Sequence, residues 1–158
     1  MPQYRRLYIP GGCYYFTVVT HERREILTSE LGRRCFKSAW ESVKRKRPFE
    51  VIAFCLLPDH LHCIWQLPDG DADYSRRWGG IKAAFSREYV KRGGEAGVLN
   101  ESRFKKNESA VWQRRFWEHR VRDEDDLNRL IEYIHFNPVK HGWSIILKNG
   151  NGQHINGF

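Results

Sequence analysis

Residues 57–65 read Leu-Pro-Asp-His-Leu-His-Cys-Ile-Trp, an apolar run in which two histidines stand on either side of one leucine. On a β-strand, alternate side chains point to the same face and lie about 7 Å apart along it. His60 and His62 would then converge on one face, whereas Leu61 would point into a core on the other. On a helix the two histidines would diverge around the axis. The apolar neighbours favour a strand, so we expect the two imidazoles to lie together.

Two imidazoles alone make an incomplete metal site, because a divalent ion needs further ligands. From this pair alone, two inert histidines on a sheet are as good an interpretation as half of a metal site. The rest of the chain therefore has to supply the missing ligands.

The segments around the histidine run predict an α+β fold. Patterns rich in aromatic and β-branched residues, typical of strands, alternate with patterns that repeat apolar residues at the helical period. The order β-α-β-β-α-β followed by an extra helix is that of a ferredoxin-like, RRM-like fold, an antiparallel sheet with helices mainly on one face. We expect strands at residues 13–20, 49–57, 61–67 and 111–121, and helices at about residues 29–47, at 75–92 and from 123 to the proline at 138.

The remaining segments predict turns and loops. Pro58-Asp59 is a tight corner that joins the second and third strands into a hairpin. The Gly-rich stretch 93–110 predicts a flexible loop, and residues 143–147 predict a short further strand. A chain of 158 residues without internal repeats is typical of one domain. We expect that domain to span residues 1–148 and residues 149–158, rich in Asn and Gly, to form a flexible tail.

The chain is strongly basic, with 27 Lys and Arg against 19 Asp and Glu and a formal net charge of +8. This excess predicts a polyanionic partner, most simply nucleic acid. No segment approaches the ~20 apolar residues of a membrane span, and the N-terminus lacks the apolar core of a signal peptide. The four cysteines contain no Cys-x-x-Cys pair, which argues against a zinc ribbon and for reduced core cysteines. We therefore expect a cytoplasmic protein that binds no membrane.

The helix predicted after residue 123 carries side chains that could complete the histidine site. Tyr133 and Asn137 are four residues apart and are therefore neighbours on one helix face. They flank the apolar stripe of this helix and could face the sheet edge where the histidines lie. His135 falls on the other flank and is less suited to join them.

If these side chains lie together, they could carry out metal-assisted nucleophilic attack on a phosphate. His60, His62 and the Asn137 amide oxygen could hold one divalent ion, which would act as a Lewis acid on a scissile phosphate. Tyr133 could then attack that phosphate and form a covalent phosphotyrosine, which keeps the phosphodiester energy so that religation needs no ATP. From the residues alone, an ordinary helix-edge tyrosine and a helix-terminal asparagine before proline stay open as interpretations of Tyr133 and Asn137.

Five motifs in the same order give the chain its resemblance to a known family. They are Tyr-Arg-Arg at 4–6, Pro-Gly-Gly-Cys-Tyr-Tyr-Phe-Thr-Val-Val-Thr at 10–20, Leu-Pro-Asp-His-Leu-His at 57–62, Trp-Gln-Arg-Arg-Phe-Trp-Glu-His at 112–119 and Tyr-Ile-His-Phe-Asn-Pro-Val-Lys-His-Gly at 133–142. Over about residues 4–143 the chain resembles the REP-associated tyrosine transposases, relatives of the single-strand insertion-sequence transposases in the His-hydrophobic-His (HUH) nuclease superfamily. After Gly142 the resemblance ends.

The resemblance implies roles for individual residues. The family's single catalytic tyrosine falls on Tyr133, its metal-binding histidines on His60 and His62, and its polar ligand one helical turn beyond the tyrosine on Asn137. Members use Mg²⁺ or Mn²⁺ to cleave and rejoin single-stranded DNA, leaving a 5′-phosphotyrosine and a free 3′-hydroxyl. Their substrates are short palindromic repeats that fold into hairpins, and the resemblance also implies a bacterial, nucleoid-associated location.

The oligomeric state follows less directly from the resemblance. Relatives in the wider superfamily pair as dimers, some of which place the tyrosine helix of one subunit in the site of the other. We expect a monomer or a homodimer. The linker before Asp123 is very short, which favours a site completed within one chain.

Basic residues interleaved with aromatic residues fit single-stranded DNA, whose phosphates meet Arg or Lys and whose bases stack on rings. For each basic residue, a solvated or salt-bridged surface charge is an equally good interpretation. The candidate DNA-binding residues are Arg5, Arg6, Arg76, Arg77, Lys82, Arg114 and Arg115.

Two other functions fit parts of the pattern. One is a non-catalytic ferredoxin-like module that binds nucleic acid, and the other is a metal hydrolase that uses water and leaves Tyr133 incidental. The first is weakened because the third strand carries His60-Leu61-His62 in place of the Gly-Phe pattern of RNA-binding sheets. A covalent protein–DNA species would exclude the second.

Overall fold

The computed structural model describes residues 5–106, 108, 110–137, 143–148 and 151–153. Strands and helices alternate along this part of the chain as the sequence predicts, with a few additions described below. The elements are β1 Cys13–Val19, α1 Glu30–Lys46, β2 Glu50–Leu56, β3 His60–Gln66, α2 Tyr74–Lys91, α3 Glu101–Lys105, β4 Trp117–Arg120, α4 Glu124–Phe136, β5 Trp143–Lys148 and β6 Asn151–Gln153.

The strands form one sheet in the order β4-β1-β3-β2-β5-β6, and every neighbouring pair is antiparallel. Helix α1 leads from β1 to β2 across β3, and α2 leads from β3 towards β4 across β1. This is the split βαβ arrangement of ferredoxin-like folds. The predicted α+β ferredoxin-like fold with an extra C-terminal helix is therefore confirmed.

Helices cover both faces of the sheet. Because alternate strand residues point to opposite sides, Phe16 and Trp65 pack towards α1 and α2, whereas Tyr15 packs towards α4. Trp65 stacks on Trp78 of α2 with a ring-centroid distance of 4.5 Å. On the other side, α4 inserts the fully buried Ile134. We refer to these two sides as the α1/α2 face and the α4 face.

A short corner joins β2 to β3 and places His60 at the start of β3. Thr20, directly after β1, donates its backbone N–H to the Asp59 carbonyl at 2.9 Å and its hydroxyl to the same oxygen at 3.0 Å. Leu27 donates its N–H to the Pro58 carbonyl at 3.0 Å. The backbone just before the histidines is therefore held by two other segments.

Capping residues mark the starts of α1 and α4, which lie close to the predicted starts at residues 29 and 123. Ser29 Oγ accepts the N–H of Gly32 at 3.0 Å at the start of α1. The Asp123 carboxylate accepts the N–H of Asp126 at 2.8 Å at the start of α4. Each such cap contributes about 1 kcal/mol to stability. The cap at Asp123 also fixes where the helix that carries Tyr133 begins.

The fourth strand is shorter than the predicted span of residues 111–121. Strand β4 has only four residues and is preceded by one isolated bridge at Trp112. Two of the carbonyls before it accept hydrogen bonds from side chains. Trp112 O accepts from the Arg103 guanidinium at 3.0 Å, and Gln113 O accepts from the Lys82 ammonium at 2.7 Å.

Two segments predicted as loops contain regular structure. Helix α3 lies within residues 93–110, and Asn100 caps it by accepting the N–H of Arg103 at 2.9 Å. Strand β6 lies within the predicted tail 149–158 and pairs with β5. The rest of that tail lies outside the described residues, so its flexibility stays a prediction. Within the described parts of the chain, no helix is long and apolar enough to cross a membrane.

Candidate active site

The two histidines of β3 lie side by side on the α4 face. Their ring centroids are 4.8 Å apart and their planes are inclined by 80°. With metal–nitrogen bonds of about 2.1 Å, two imidazoles on one ion place their centroids about 4.5–5 Å apart. The predicted convergence of His60 and His62 is therefore present, at a spacing that suits one shared ion.

His60 is oriented by the residue before it. Its Nδ1 lies 2.6 Å from Asp59 Oδ1, and Arg23 Nε donates to the other carboxylate oxygen at 3.2 Å. Partial burial works to raise the pKa of Asp59, but the hydrogen bond and charge of His60, followed by the charge of Arg23, outweigh it and lower that pKa. Because an ionised carboxylate only accepts, the proton of His60 sits on Nδ1. Its Nε2 is then available as a metal ligand.

His62 is held by two oxygens of β1. Its Nδ1 lies 2.8 Å from the Tyr15 hydroxyl and 2.9 Å from the Thr17 hydroxyl, and its ring stacks against Tyr15 at a centroid distance of 5.7 Å. Burial, followed by the charge of His60, lowers the pKa of His62 to about 3. The imidazole is therefore neutral at pH 7, the form that binds metals.

The other ring nitrogen of His62 is buried and has no hydrogen-bond partner among the described residues. A buried polar atom without a partner is uncommon and calls for a ligand or water to satisfy it. With Nδ1 donating to the β1 oxygens, Nε2 carries the lone pair that a metal ion needs. The residues present therefore fit a divalent ion.

Helix α4 brings Tyr133 to this pair. Its ring centroid lies 5.4 Å from that of His62 and 6.5 Å from that of Tyr15, both in edge contacts. Buried Ile134 fixes the helix on the sheet, while 53% of Tyr133 stays exposed. The candidate nucleophile is thus beside the histidines and open to a substrate.

The start of α4 is anchored to the edge of the same sheet. Asp126 is buried and accepts hydrogen bonds from His119 Nε2 at 2.8 Å and from the Arg122 N–H at 3.0 Å. His119 belongs to β4 and is paired with Tyr15 in the sheet register. Two helical turns, about 10 Å, separate this anchor from Tyr133. The helix is therefore fixed at one end to β4 and reaches the histidines of β3 with the other.

Asn137 ends α4 one turn beyond Tyr133, and its N–H donates to the Tyr133 carbonyl at 3.2 Å. Its side-chain nitrogen is buried without a hydrogen-bond partner in the described part of the chain, and the same holds for Nδ1 of His135. No cluster of three or more His, Cys, Asp or Glu side chains is present within the described residues. A metal shell on the two histidines would thus need the Asn137 amide together with water or substrate oxygens.

Sequence reasoning missed the residues that orient the histidines. Tyr15 and Thr17 alternate on β1 and therefore share a face, and Asp59 precedes His60 directly. A polar pair at alternate positions within an aromatic strand is the signal that could have drawn attention to them. Their contact with His62 depends on the pairing of β1 with β3, which sequence patterns do not specify.

The prediction that Arg77 binds DNA is wrong, because the Arg77 side chain is buried. The guanidinium bonds to both carboxylate oxygens of Asp71 at 2.8 and 2.9 Å and to the carbonyls of Arg47 and Pro48. The hydrogen bond from Arg77 is the main reason that the pKa of Asp71 is lowered to about 2. Arg77 therefore ties α2 to the end of α1.

Three more candidates have partners within the protein. Arg6 pairs with Glu118 at 2.5 Å and lies over the Phe116 ring. Arg114 pairs with Glu108 at 2.6 Å. Burial, followed by the charges of Arg6 and Arg103, lowers the pKa of Lys82 to about 8. The remaining candidates Arg5, Arg76 and Arg115 are exposed, and Arg76 lies 3.7 Å from the Asp73 carboxylate.

Comparison with known proteins agrees with this geometry. The sequence pattern that defines the IS200-like transposases matches residues 11–137. The REP-associated tyrosine transposase of Escherichia coli K12 is 43% identical over 90% of this chain and 76% of its own length. A candidate REP-associated tyrosine transposase of Haemophilus influenzae is 42% identical over 94% of this chain and 82% of its own length.

Solved structures that resemble this chain are also transposases. The structure of a REP-associated tyrosine transposase bound to a REP hairpin is 41% identical, with a TM-score of 0.70 over 90% of this chain and 76% of that one. A candidate transposase of Deinococcus radiodurans, 15% identical, shares the fold with a TM-score of 0.51 over 89% of this chain and 98% of that one. The chain therefore belongs to the IS200-like transposase family and, within it, to the REP-associated tyrosine transposases.

Proposed function

We propose that this transposase is a metal-dependent endonuclease and transesterase, which cleaves and rejoins single-stranded DNA near palindromic-repeat hairpins through a covalent 5′-phosphotyrosine. The observation that carries the proposal is the edge contact between the rings of Tyr133 and His62, at a centroid distance of 5.4 Å. It puts an exposed phenol beside an imidazole nitrogen that lacks a partner among the described residues.

Tyr133 is the nucleophile. Its phenolic oxygen attacks the scissile phosphorus, the bond from phosphorus to the 3′-oxygen breaks, and the 5′-phosphate stays on the tyrosine. The phenol loses its proton to water, and the leaving 3′-oxygen takes up a proton. In the reverse step a 3′-hydroxyl attacks the phosphotyrosine, so the strand is rejoined without an external energy source.

His60 and His62 present their Nε2 atoms on one face, each with Nδ1 engaged by protein oxygens. Asn137 can present its amide oxygen one turn beyond Tyr133, since a half-turn of the amide exchanges its oxygen and nitrogen. A divalent ion held there, Mg²⁺ or Mn²⁺, would supply Lewis-acid polarisation of the scissile phosphate. The fixed Nδ1 contacts keep both imidazoles in the required tautomer before DNA arrives.

The substrate class follows from charge and from a relative. A net charge of +8 favours binding to a phosphate backbone. The relative of known structure, 41% identical, is bound to a REP hairpin. We infer that this chain also binds a repeat hairpin and acts on the unpaired strand beside it.

A covalent-adduct assay tests the proposal. The protein is incubated with Mn²⁺ and labelled oligonucleotides that carry a palindromic-repeat hairpin with single-stranded flanks. Wild-type protein should yield a labelled, denaturant-resistant protein–DNA species, and Tyr133→Phe should yield none.

Tyr8→Phe is the matched control, because Tyr8 is 47% exposed and its hydroxyl lies 2.9 Å from Ser75 Oγ. This variant should form the adduct as the wild type does. Equal cleavage by wild type and Tyr133→Phe, or cleavage without any covalent species, would contradict the nucleophile and favour attack by water.

A further inference from the structure

A second aromatic side chain lies in line with the histidines on the α4 face. Thr17 of β1 is paired with His62 of β3 on one side and with Trp117 of β4 on the other. Directly paired residues of antiparallel strands point to the same face. Trp117, Thr17 and His62 therefore form one row across the sheet. At about 4.8 Å per strand, the Cα of Trp117 lies about 10 Å from that of His62.

Trp117 of β4 is exposed, whereas Trp65 of β3 is covered. The exposed fraction of Trp117 is 56%, and Trp65, together with Trp78 of α2 that stacks on it, is fully buried. Helix α4 begins over the neighbouring row, where Asp126 accepts the hydrogen bond of His119. More than half of the Trp117 side chain is therefore accessible at the sheet edge, in the same row as His62.

The charges around this ring suit a nucleic-acid strand. Glu118, the acidic residue of β4, points to the opposite face and pairs there with Arg6. Arg115, two residues before Trp117, is exposed. An exposed aromatic ring with cations nearby is the arrangement by which proteins hold unpaired bases while Arg or Lys contacts the phosphates.

We propose that Trp117 stacks on an unpaired base of the single strand that flanks the scissile phosphate. This inference rests on the proposed function, because it places the strand along the part of the row that runs from Trp117 to His62. A separation of about 10 Å places the stacked base within a few nucleotides of the scissile phosphate. The stacking tolerates any base, since every base has a π-face, so Trp117 contributes affinity and register rather than sequence choice.

Binding without metal separates this proposal from the catalytic one. Fluorescence anisotropy in EDTA measures the Kd of wild type and variants for a labelled dT20 oligonucleotide and for an abasic 20-mer of the same phosphate charge. Trp117→Ala should weaken dT20 binding by about 5- to 150-fold, the range of one aromatic stack, and leave binding of the abasic strand unchanged. Trp117→Phe, which keeps a ring, should recover most of the lost affinity, whereas Trp117→Leu should not.

Phe104→Ala is the control, because Phe104 is also an exposed aromatic side chain, 74% accessible, on α3, which lies beside α2. It should change neither Kd. An equal loss on dT20 and on the abasic strand in Trp117→Ala, no loss on either, or the same base-dependent loss in Phe104→Ala would each overturn the proposal. Because no metal or cleavage is involved, failure here leaves the covalent-adduct assay as an independent result.

Discussion

The α1/α2 face and the α4 face of the sheet are built from alternate residues of the same strands, yet they differ in chemistry. On the α1/α2 face, Trp65 lies between Phe49 and Trp78, with ring-centroid distances of 4.0 and 4.5 Å. On the α4 face, the equivalent central position of β3 is His62, which contacts the hydroxyls of Tyr15 and Thr17.

The difference shows how one sheet can be both rigid and reactive. Burying polar groups costs stability unless each is paired, and His62 keeps one ring nitrogen without a partner in the described structure. The stacked rings of the α1/α2 face offset that cost and fix the strand positions. The α4 face can then hold imidazoles and a tyrosine in one arrangement without contributing the main core.

The largest expected effect on stability lies on the α1/α2 face. Trp65→Ala removes a fully buried indole from the centre of the stacked rings and should lower the free energy of unfolding by about 3–5 kcal/mol. Urea denaturation followed by circular dichroism measures the change. A loss below about 1 kcal/mol would mean that this face does not hold the fold together.

The next largest expected effect is a stabilisation by metal ions that depends on the α4 face alone. If the histidine pair binds a metal as proposed, Mn²⁺ at about 100 times its Kd should stabilise the wild type by about 2.7 kcal/mol, because the ion would bind only the folded protein. His62→Ala should lose most of this metal-dependent stabilisation. Thermal denaturation with and without Mn²⁺ measures it, and equal stabilisation of both proteins would place the metal elsewhere.

Tyr14 and Tyr15 are neighbours on β1 but point to opposite faces, so their variants should differ in Mn²⁺ affinity. Tyr15→Phe removes a hydroxyl 2.8 Å from His62 Nδ1 and should weaken Mn²⁺ binding by about 10- to 100-fold, as loss of an oxygen that orients a ligating histidine does. Isothermal titration calorimetry measures the affinity.

Tyr14→Phe is the matched control, because Tyr14 faces the other side and its hydroxyl donates to the Leu7 carbonyl at 3.0 Å. It should cost about 1 kcal/mol of stability with unchanged Mn²⁺ affinity. The two faces would be coupled, contrary to this account, if both variants lowered Mn²⁺ affinity to the same extent.

The smallest effect concerns pH and the buried Arg77. Its hydrogen bond is the first cause that lowers the pKa of Asp71 to about 2, below the ordinary 3.8. The lowered pKa contributes stability above about pH 4, and that contribution is lost as the pH falls from about 4 to 2. Since the Asp71 side chain is 35% exposed, solvent screening limits the contribution to about 1 kcal/mol.

Asp71→Asn tests this contribution. The wild type should be more stable than the variant at pH 7, and the difference in unfolding free energy should shrink between pH 4 and pH 2. A difference that does not change with pH would show that the pair acts through packing rather than charge.

Local patterns predicted the parts of the molecule that depend on neighbouring residues. Alternation along residues 57–65 was enough to place His60 and His62 on one face, and the predicted helix start at residue 123 agrees with the start of α4. The one-turn spacing of Tyr133 and Asn137 likewise follows from helix geometry alone. The family resemblance then supplied roles that spacing could not.

Features that depend on distant pairing were missed. Arg77 looks like any basic helix residue, and its burial against Asp71 and the carbonyl of Pro48 appears only in the folded chain. The predicted length of the fourth strand was wrong because Arg103 and Lys82 reach across to the backbone before β4. Residue patterns report local periodicity. They say little about which side chain donates a hydrogen bond to a backbone carbonyl that is distant in sequence.

Mass spectrometry of the trapped protein–DNA species tests the central claim most directly. Wild-type protein is incubated with Mn²⁺ and a hairpin oligonucleotide, denatured, and digested with nuclease and protease. The account predicts a single modified peptide that contains Tyr133, heavier by the mass of the remaining 5′-nucleotide. A nucleotide on another residue, or DNA cleavage with every peptide unmodified, would contradict it.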